Sequence, residues 1–262
     1  MNNTHYEYKN LSFFQTQYDD LKNHRAIQHP LFSFLEKQSI GSLNSLQFQA
    51  IRDNYIYRTL NTIPCIAYAL IAAVKNLDYE AIALLGKNLS EETGEGKAEQ
   101  SHVFLLLFSF NEHGQRIFYL PPIHHEELDF SPFILQGVRS FTAKQKELYQ
   151  SATYPLVIGA NMGQELAAES MLQSFYQSLF VPYQSFYTSS DYLRVSKYFD
   201  CHLDGTEKQH ALDTYQIAAR LSECPDNSAL VLEGATRFLD LQAMLWDGLY
   251  ELLKSLAPES MT

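Results

Sequence analysis

Two histidines and a glutamate, His202, Glu207 and His210, fall in the run HLDGTEKQH, on what the surrounding periodicity predicts to be one amphipathic helix. Carboxylates and histidines recur in two earlier helical segments, at Glu92 and His102 and at Glu165. Helices that each turn Glu or His inward are the usual way a bundle builds a carboxylate-bridged pair of iron or manganese ions. The chemistry such a site would do is metal-dependent oxidation. Singly, each residue has a plainer explanation. A Glu-x2-His pair suits a solvated helix face, and His102, entering the apolar run VFLLLF, suits a core histidine bonded to a carbonyl or hydroxyl. The case rests on the set, because buried charged groups need partners or a metal.

The elements that must carry these residues are helical throughout. Residues 10–35 have a helical pattern, with Pro30 at a helix start where its missing N–H costs nothing. Residues 42–74 form a long run with apolar residues at three and four spacing, which Pro64 is expected to kink or split. Residues 79–88 are helical and lead into NLSEETGEG at 88–96, where two glycines interrupt the helix just after Glu91 and Glu92. Residues 111–132, with Gly114, Pro121, Pro122 and the pair His124 and His125, are expected to be a loop with strand character at 116–120 and a surface or lid role for the histidines. Residues 142–149 are helical again. A long helix over 154–179 places Glu165 and Glu169 on one face, a helix over 191–221 carries the opening motif, and an amphipathic helix over 230–256 closes the chain. The expected fold class is all-α, a compact bundle of about seven to nine helices in a single domain over residues 1–262, with its core at about 20–256.

Composition narrows the function. A net charge of −11 across 262 residues with no basic patch argues against nucleic acid as a partner. Hydrophobic residues at 46%, with 17 Tyr and 17 Phe, suffice for a large core and an apolar cavity. Cys65, Cys201 and Cys224 are odd in number and lack CxxC spacing, which points to reduced thiols in a cytoplasmic protein, with Cys201 expected to be buried and inert. The first residues carry no apolar leader region, and the apolar run at 63–74 is shorter than the ~20 residues a bilayer requires, so no membrane partner is expected.

The pattern N-L-x-E-E-x-G-x-G from Asn88, followed by Ser101 and His102, resembles the heme-oxygenase-like di-iron oxidases and oxygenases, often described as iron-containing redox enzymes. They share a helical fold with TenA thiaminases and pyrroloquinoline quinone synthase. His29-Pro30-Leu31 with Tyr55 and Tyr57, Gly159 with Glu165, and Tyr198-Phe199 with His202, Glu207 and His210 look like further parts of that fold, so the likeness spans residues 20–220. The resemblance implies a metal set of Glu92, His102, Glu165, His202, Glu207 and His210, holding two iron ions or an iron–manganese pair. Mixed N and O ligands of this number suit those metals better than four-coordinate zinc. It also implies a small organic substrate and dioxygen as partners; a homodimer is plausible for the fold.

The last segment departs from the family pattern. Family members usually space the final ligands His-x3-Asp/Glu-x2-His, whereas here the steps from His202 are five and eight. On a regular helix these put Glu207 about 140° and His210 about 80° from His202. A π-bulge at Gly205 would restore the register, and Asp204 is the substitute carboxylate if it does not. Glu91 and Glu169 are expected beside the ligands or exposed, with Glu169 in reserve for Glu165. Tyr55, Tyr57 and Tyr198 are expected near the cavity. Two other functions fit the sequence: the metal-free enzymes of the same fold, and a non-catalytic helical module that binds a ligand or protein.

Overall fold

The computed structural model describes residues 3–38 and 40–257, with side chains from residue 12 onward; the ends of the expected domain lie outside them. Eleven α-helices occur among the described residues: α1 (Asn3–Leu21), α2 (Pro30–Glu36), α3 (Ser45–Thr59), α4 (Thr62–Lys75), α5 (Tyr79–Glu92), α6 (His102–Phe118), α7 (Gln136–Tyr149), α8 (Tyr154–Phe175), α9 (Ser189–Leu203), α10 (Thr206–Leu221) and α11 (Pro225–Ser255). Short helical turns join several of them, and no strand appears among the described residues. The architecture is all-α and heme-oxygenase-like.

Helices exceed the expected number because long periodic runs are divided at polar breaks. The run at 42–74 breaks between α3 and α4, where Asn61 donates to Thr142 O and Gln145 Oε1. Pro64 itself sits in the first turn of α4, where an absent N–H is harmless. The stretch Ser45–Lys75 is long enough for a membrane span and contains an 18-residue window of mean hydropathy 1.2. Here it is two helices, and α3 carries Arg52, Asp53, Asn54 and Arg58 into the core. Residues 116–120 are not a strand. Leu106, Leu107, Phe110 and His113 bury one helical face, and α6 continues to Phe118 before Tyr119 closes it with φ 56°. Gly114, which suggested a loop, lies against the Phe48 ring instead. The helix expected over 154–179 ends at Phe175 and passes into a π turn, Tyr176–Phe180.

α8 and α11 form the centre of the bundle and have the most extensive helix–helix contact. Their backbones approach so closely that a Cβ on Gly159 would run into Val231 O and one on Gly234 into Leu156 O. Around this pair lies a continuous core in which Phe32 and Phe175 both meet Trp246 edge-on. Each fully buried ring of this kind contributes roughly 1.5–3 kcal/mol. α8 is therefore a rigid post, and α5, α6, α9 and α10 present their side chains around it.

Candidate metal centre

Glu92 is the last residue of α5 and His102 the first of α6. A tight reversal brings these helix ends together. Glu95 N–H donates to Ser90 O at 2.8 Å and Gly94 N–H to Glu91 O at 3.0 Å. Gly94 has φ 81°, and a Cβ there would strike Lys97 O, so glycine is required. The result is His102 Nδ1 at 3.1 Å from Glu92 Oε1. The two atoms are out of line for a hydrogen bond, and Nδ1 has none.

The expected ligands of the last segment, His202, Glu207 and His210, are carried by two helices rather than one. No π-bulge forms at residues 202–210. The chain breaks at Gly205, whose φ of 114° is costly for any residue with a side chain. Asp204 closes the turn by accepting from Thr206 N–H and Oγ1–H. It is exposed and is thereby removed as a substitute ligand. The reversal turns Glu207, in the first turn of α10, and His210 inward to face His202 on α9. His202 Nε2 lies 3.7 Å from Glu207 Oε1 and 3.9 Å from Glu92 Oε1. Glu165 reaches in from α8, with Oε2 4.0 Å from His210 Nδ1. Two groups of ligand atoms, each within 4.8 Å, result: Glu92, His102 and His202, and Glu92, Glu207 and His210. Glu92 belongs to both.

Each histidine is held by one nitrogen and offers the other to the cluster. His202 Nδ1 lies 2.5 Å from Tyr198 O; a carbonyl only accepts, so Nδ1 donates to it and Nε2 faces the cluster. His210 Nε2 donates to Glu91 at 2.7 Å, leaving Nδ1 facing inward. His102 Nε2 sits 3.8 Å from Cys201 Sγ, with Nδ1 inward. Outer partners fix the ring tautomer of metal-ligating histidines in this way. His102 Nδ1, His210 Nδ1 and Glu207 Oε2 are all buried and without a hydrogen-bond partner. Buried polar atoms are seldom left so, and these three belong to one side-chain cluster. The donor set fits divalent iron or manganese.

Electrostatics show the same incompleteness. Burial and the neighbouring Glu207 push the Glu165 carboxyl up to about 7. Burial also raises Glu207. Burial alone would raise Glu92 too, but His102, His202 and His210 outweigh it and hold its pKa below the ordinary value. Burial opposes protonation of His102 and His202, yet Cys201 and the carboxylates overcome it and lift them to about 10 and about 9. Protons thus balance the carboxylates where divalent ions could.

The other expected residues are scattered. Glu91 holds His210 from outside. Glu169 is 41% exposed and pairs with Lys208 at 3.3 Å, so it does not stand in for Glu165. Tyr198 lines a cavity of about 40 Å³ beside the cluster, and Tyr55 is behind it, hydroxyl to hydroxyl at 3.0 Å. Tyr57 faces Arg139 rather than the cavity. Cys201 is not buried and inert. It is partly exposed between His102 and His202; burial raises its pKa, but the two imidazoles bring it down to about 7. Two residues gain roles that the sequence did not assign: Asn88 Nδ2 donates to Glu165 Oε1 at 3.2 Å, and Arg58 lines the cavity. Asn88 opens the motif that drew attention to Glu92, whereas nothing in the sequence marks Arg58.

Residues 67–243 match the sequence profile of a family described as iron-containing redox enzymes. The fold is similar to a CADD-like protein of unknown function from Nostoc punctiforme, in two crystal structures. One superposes with a TM-score of 0.71 at 16% identity, covering 92% of this chain and 98% of that one. The other gives 0.68 at 14% identity, covering 93% and 97%. No curated protein matches the sequence.

Proposed function

Since this chain belongs to the family of iron-containing redox enzymes, we propose that it is a non-heme di-metal oxidase or oxygenase acting on a small organic substrate. Glu92, His102, His202 and Glu207 would hold one ion, and Glu92, Glu207, His210 and Glu165 the other. The observation that carries the reading is the group of three anchored histidines, each with one nitrogen directed at the carboxylates, two of which, His102 Nδ1 and His210 Nδ1, are buried without a hydrogen bond. Bound iron, or an iron–manganese pair, would supply dioxygen activation. The chain's own residues position and enclose. Glu91, Tyr198 O and Cys201 orient the imidazoles, and Asn88 steadies Glu165. Ala168, Met171 and Leu172 wall the cavity, keeping water from the reacting centre. His102 lines both this cavity and an outer pocket of about 500 Å³ shared with Cys201 and Lys197, which marks the way in from solvent. Protein purified after iron-supplemented expression should contain iron, and His210→Ala should lose about half of it while remaining folded. Iron-free wild-type protein that stays empty under anaerobic Fe(II) would sink the proposal.

One observation favours a metal-free alternative: the Cys201 thiol sits between two imidazoles, as a cysteine nucleophile would. Cys201→Ala separates the two. A metal oxidase keeps its iron in that variant, whereas a thiol-dependent enzyme loses all turnover with no metal to lose.

A further inference from the structure

α3 carries two buried arginines with opposite circumstances. Arg52 donates from Nε to Asp53 Oδ1 and from Nη1 to Pro121 O, each at 2.8 Å. Arg58 is equally enclosed, 5% exposed, yet makes a single hydrogen bond, from Nη2 to Gln242 Oε1 at 3.0 Å. Its Nε has no partner, and neither does the neighbouring Gln242 Nε2. Phe141 lies beneath the guanidinium, 6.0 Å from its centre. Among the described residues Arg58 is the buried arginine without a carboxylate partner. It borders the same cavity as Glu92, His102, Glu165, His202 and Glu207.

A buried guanidinium is strongly disfavoured unless an anion or several acceptors face it, and arginine is the residue best shaped to grip a carboxylate.

We propose that Arg58 anchors the substrate through a carboxylate, so that the substrate is a short organic monocarboxylate lying between the guanidinium and the Glu/His cluster. The oxidative fate of that acid rests on the di-metal reading above; its capture by Arg58 does not. Size sets the class further. The cavity, at about 40 Å³, is close to the ~30 Å³ share of one liquid water, enough for a carboxylate head. An aliphatic tail would lie against Met171 and Leu172, the apolar side of the same cavity.

The test is calorimetric titration of metal-free protein with butanoate and with butanamide, equal in size and different in charge. Wild-type protein should bind the acid roughly tenfold or more tightly than the amide, the difference expected of a charge-assisted hydrogen bond. Arg58→Gln should reduce that ratio to near one while taking up Fe(II) as wild type does. Thr62→Glu provides a second variant, because it places a carboxylate at a partly exposed position on the same cavity and keeps Arg58 paired. It should fold normally and lose acid binding. Equal binding of acid and amide by wild type overturns the proposal, as does an acid preference that survives either substitution. An acid preference in protein that takes up no Fe(II) leaves the anchor standing and removes the metal reading instead.

Discussion

Two of the buried polar clusters in this bundle are finished to different degrees. At one, Arg52 pairs with Asp53, Ser131 Oγ–H donates to Asp53 Oδ2 at 2.6 Å, and Asn54 ties Ala50 O, Phe133 O and Leu135 N together. The charged groups of that cluster are met, and it pins the 131–135 segment to α3. At the other, three glutamates and three histidines converge, and His102 Nδ1, His210 Nδ1 and Glu207 Oε2 are buried and unpaired. The first is closed by the chain's own groups; the second leaves buried atoms that a metal ion, as proposed above, would meet. On that reading the first holds the fold and the second is held for chemistry.

Removing one partner should therefore affect the two clusters in opposite ways. Asp53→Ala strands a buried guanidinium and should cost about 3–5 kcal/mol in urea unfolding. Glu165→Gln removes a carboxylate from a site crowded with them, and in metal-free protein it should be neutral or stabilising. A loss from Glu165→Gln comparable to that from Asp53→Ala would erase the distinction.

A smaller effect concerns pH. Glu165, at about 7, titrates above its ordinary value, so the folded state binds the extra proton and the stability it contributes is lost as pH rises from about 4.5 to 7. His102 and His202, at about 10 and about 9, contribute stability that is full below about 6.5 and lost as pH climbs through those values. Metal-free protein should weaken from about pH 7 to 10 by urea midpoint, with Cys201, brought down to about 7, offsetting part of that loss; below about 6.5 buried His113, held down at about 3, opposes Glu165. Glu165→Gln should remove that opposition and make the midpoint rise more steeply between about pH 5 and 7. Loaded protein should behave inversely, binding metal more tightly as pH rises, because the ions displace those protons.

The smallest expected change is Gly205→Ala. At φ 114° an alanine is strained by roughly 1–3 kcal/mol. The break between α9 and α10 should shift, and Fe(II) affinity should fall more than stability does. Unaltered metal affinity would mean that this break does not position Glu207 and His210.

Much of the site was legible because local constraints left marks. Gly94 follows Glu92 because the chain must reverse there to reach His102, and that reversal is written as a glycine pattern. The last ligands were legible as residues but not as geometry. An Asp-Gly pair inside a helical period can accommodate an extra residue as a bulge or as a break, and periodicity alone does not choose. The break is the one that forms, with Gly205 at φ 114° and the Asp204 carboxylate accepting from Thr206 N–H and Oγ1–H across it. Arg58 left no mark, since an arginine without a partner is spelled like any other. Tyr57 was misplaced for a related reason: Tyr55 points to Tyr198, and the two steps from Tyr55 to Tyr57 turn the side chain by about 200°, toward Arg139.

The central claim is that these six side chains form one two-metal site. Anaerobic titration of metal-free protein with Fe(II), followed by calorimetry, tests it most directly. Uptake should saturate at about two ions per chain and at about one in His210→Ala. No saturable uptake by folded wild-type protein, or saturation unchanged by His210→Ala, would contradict it.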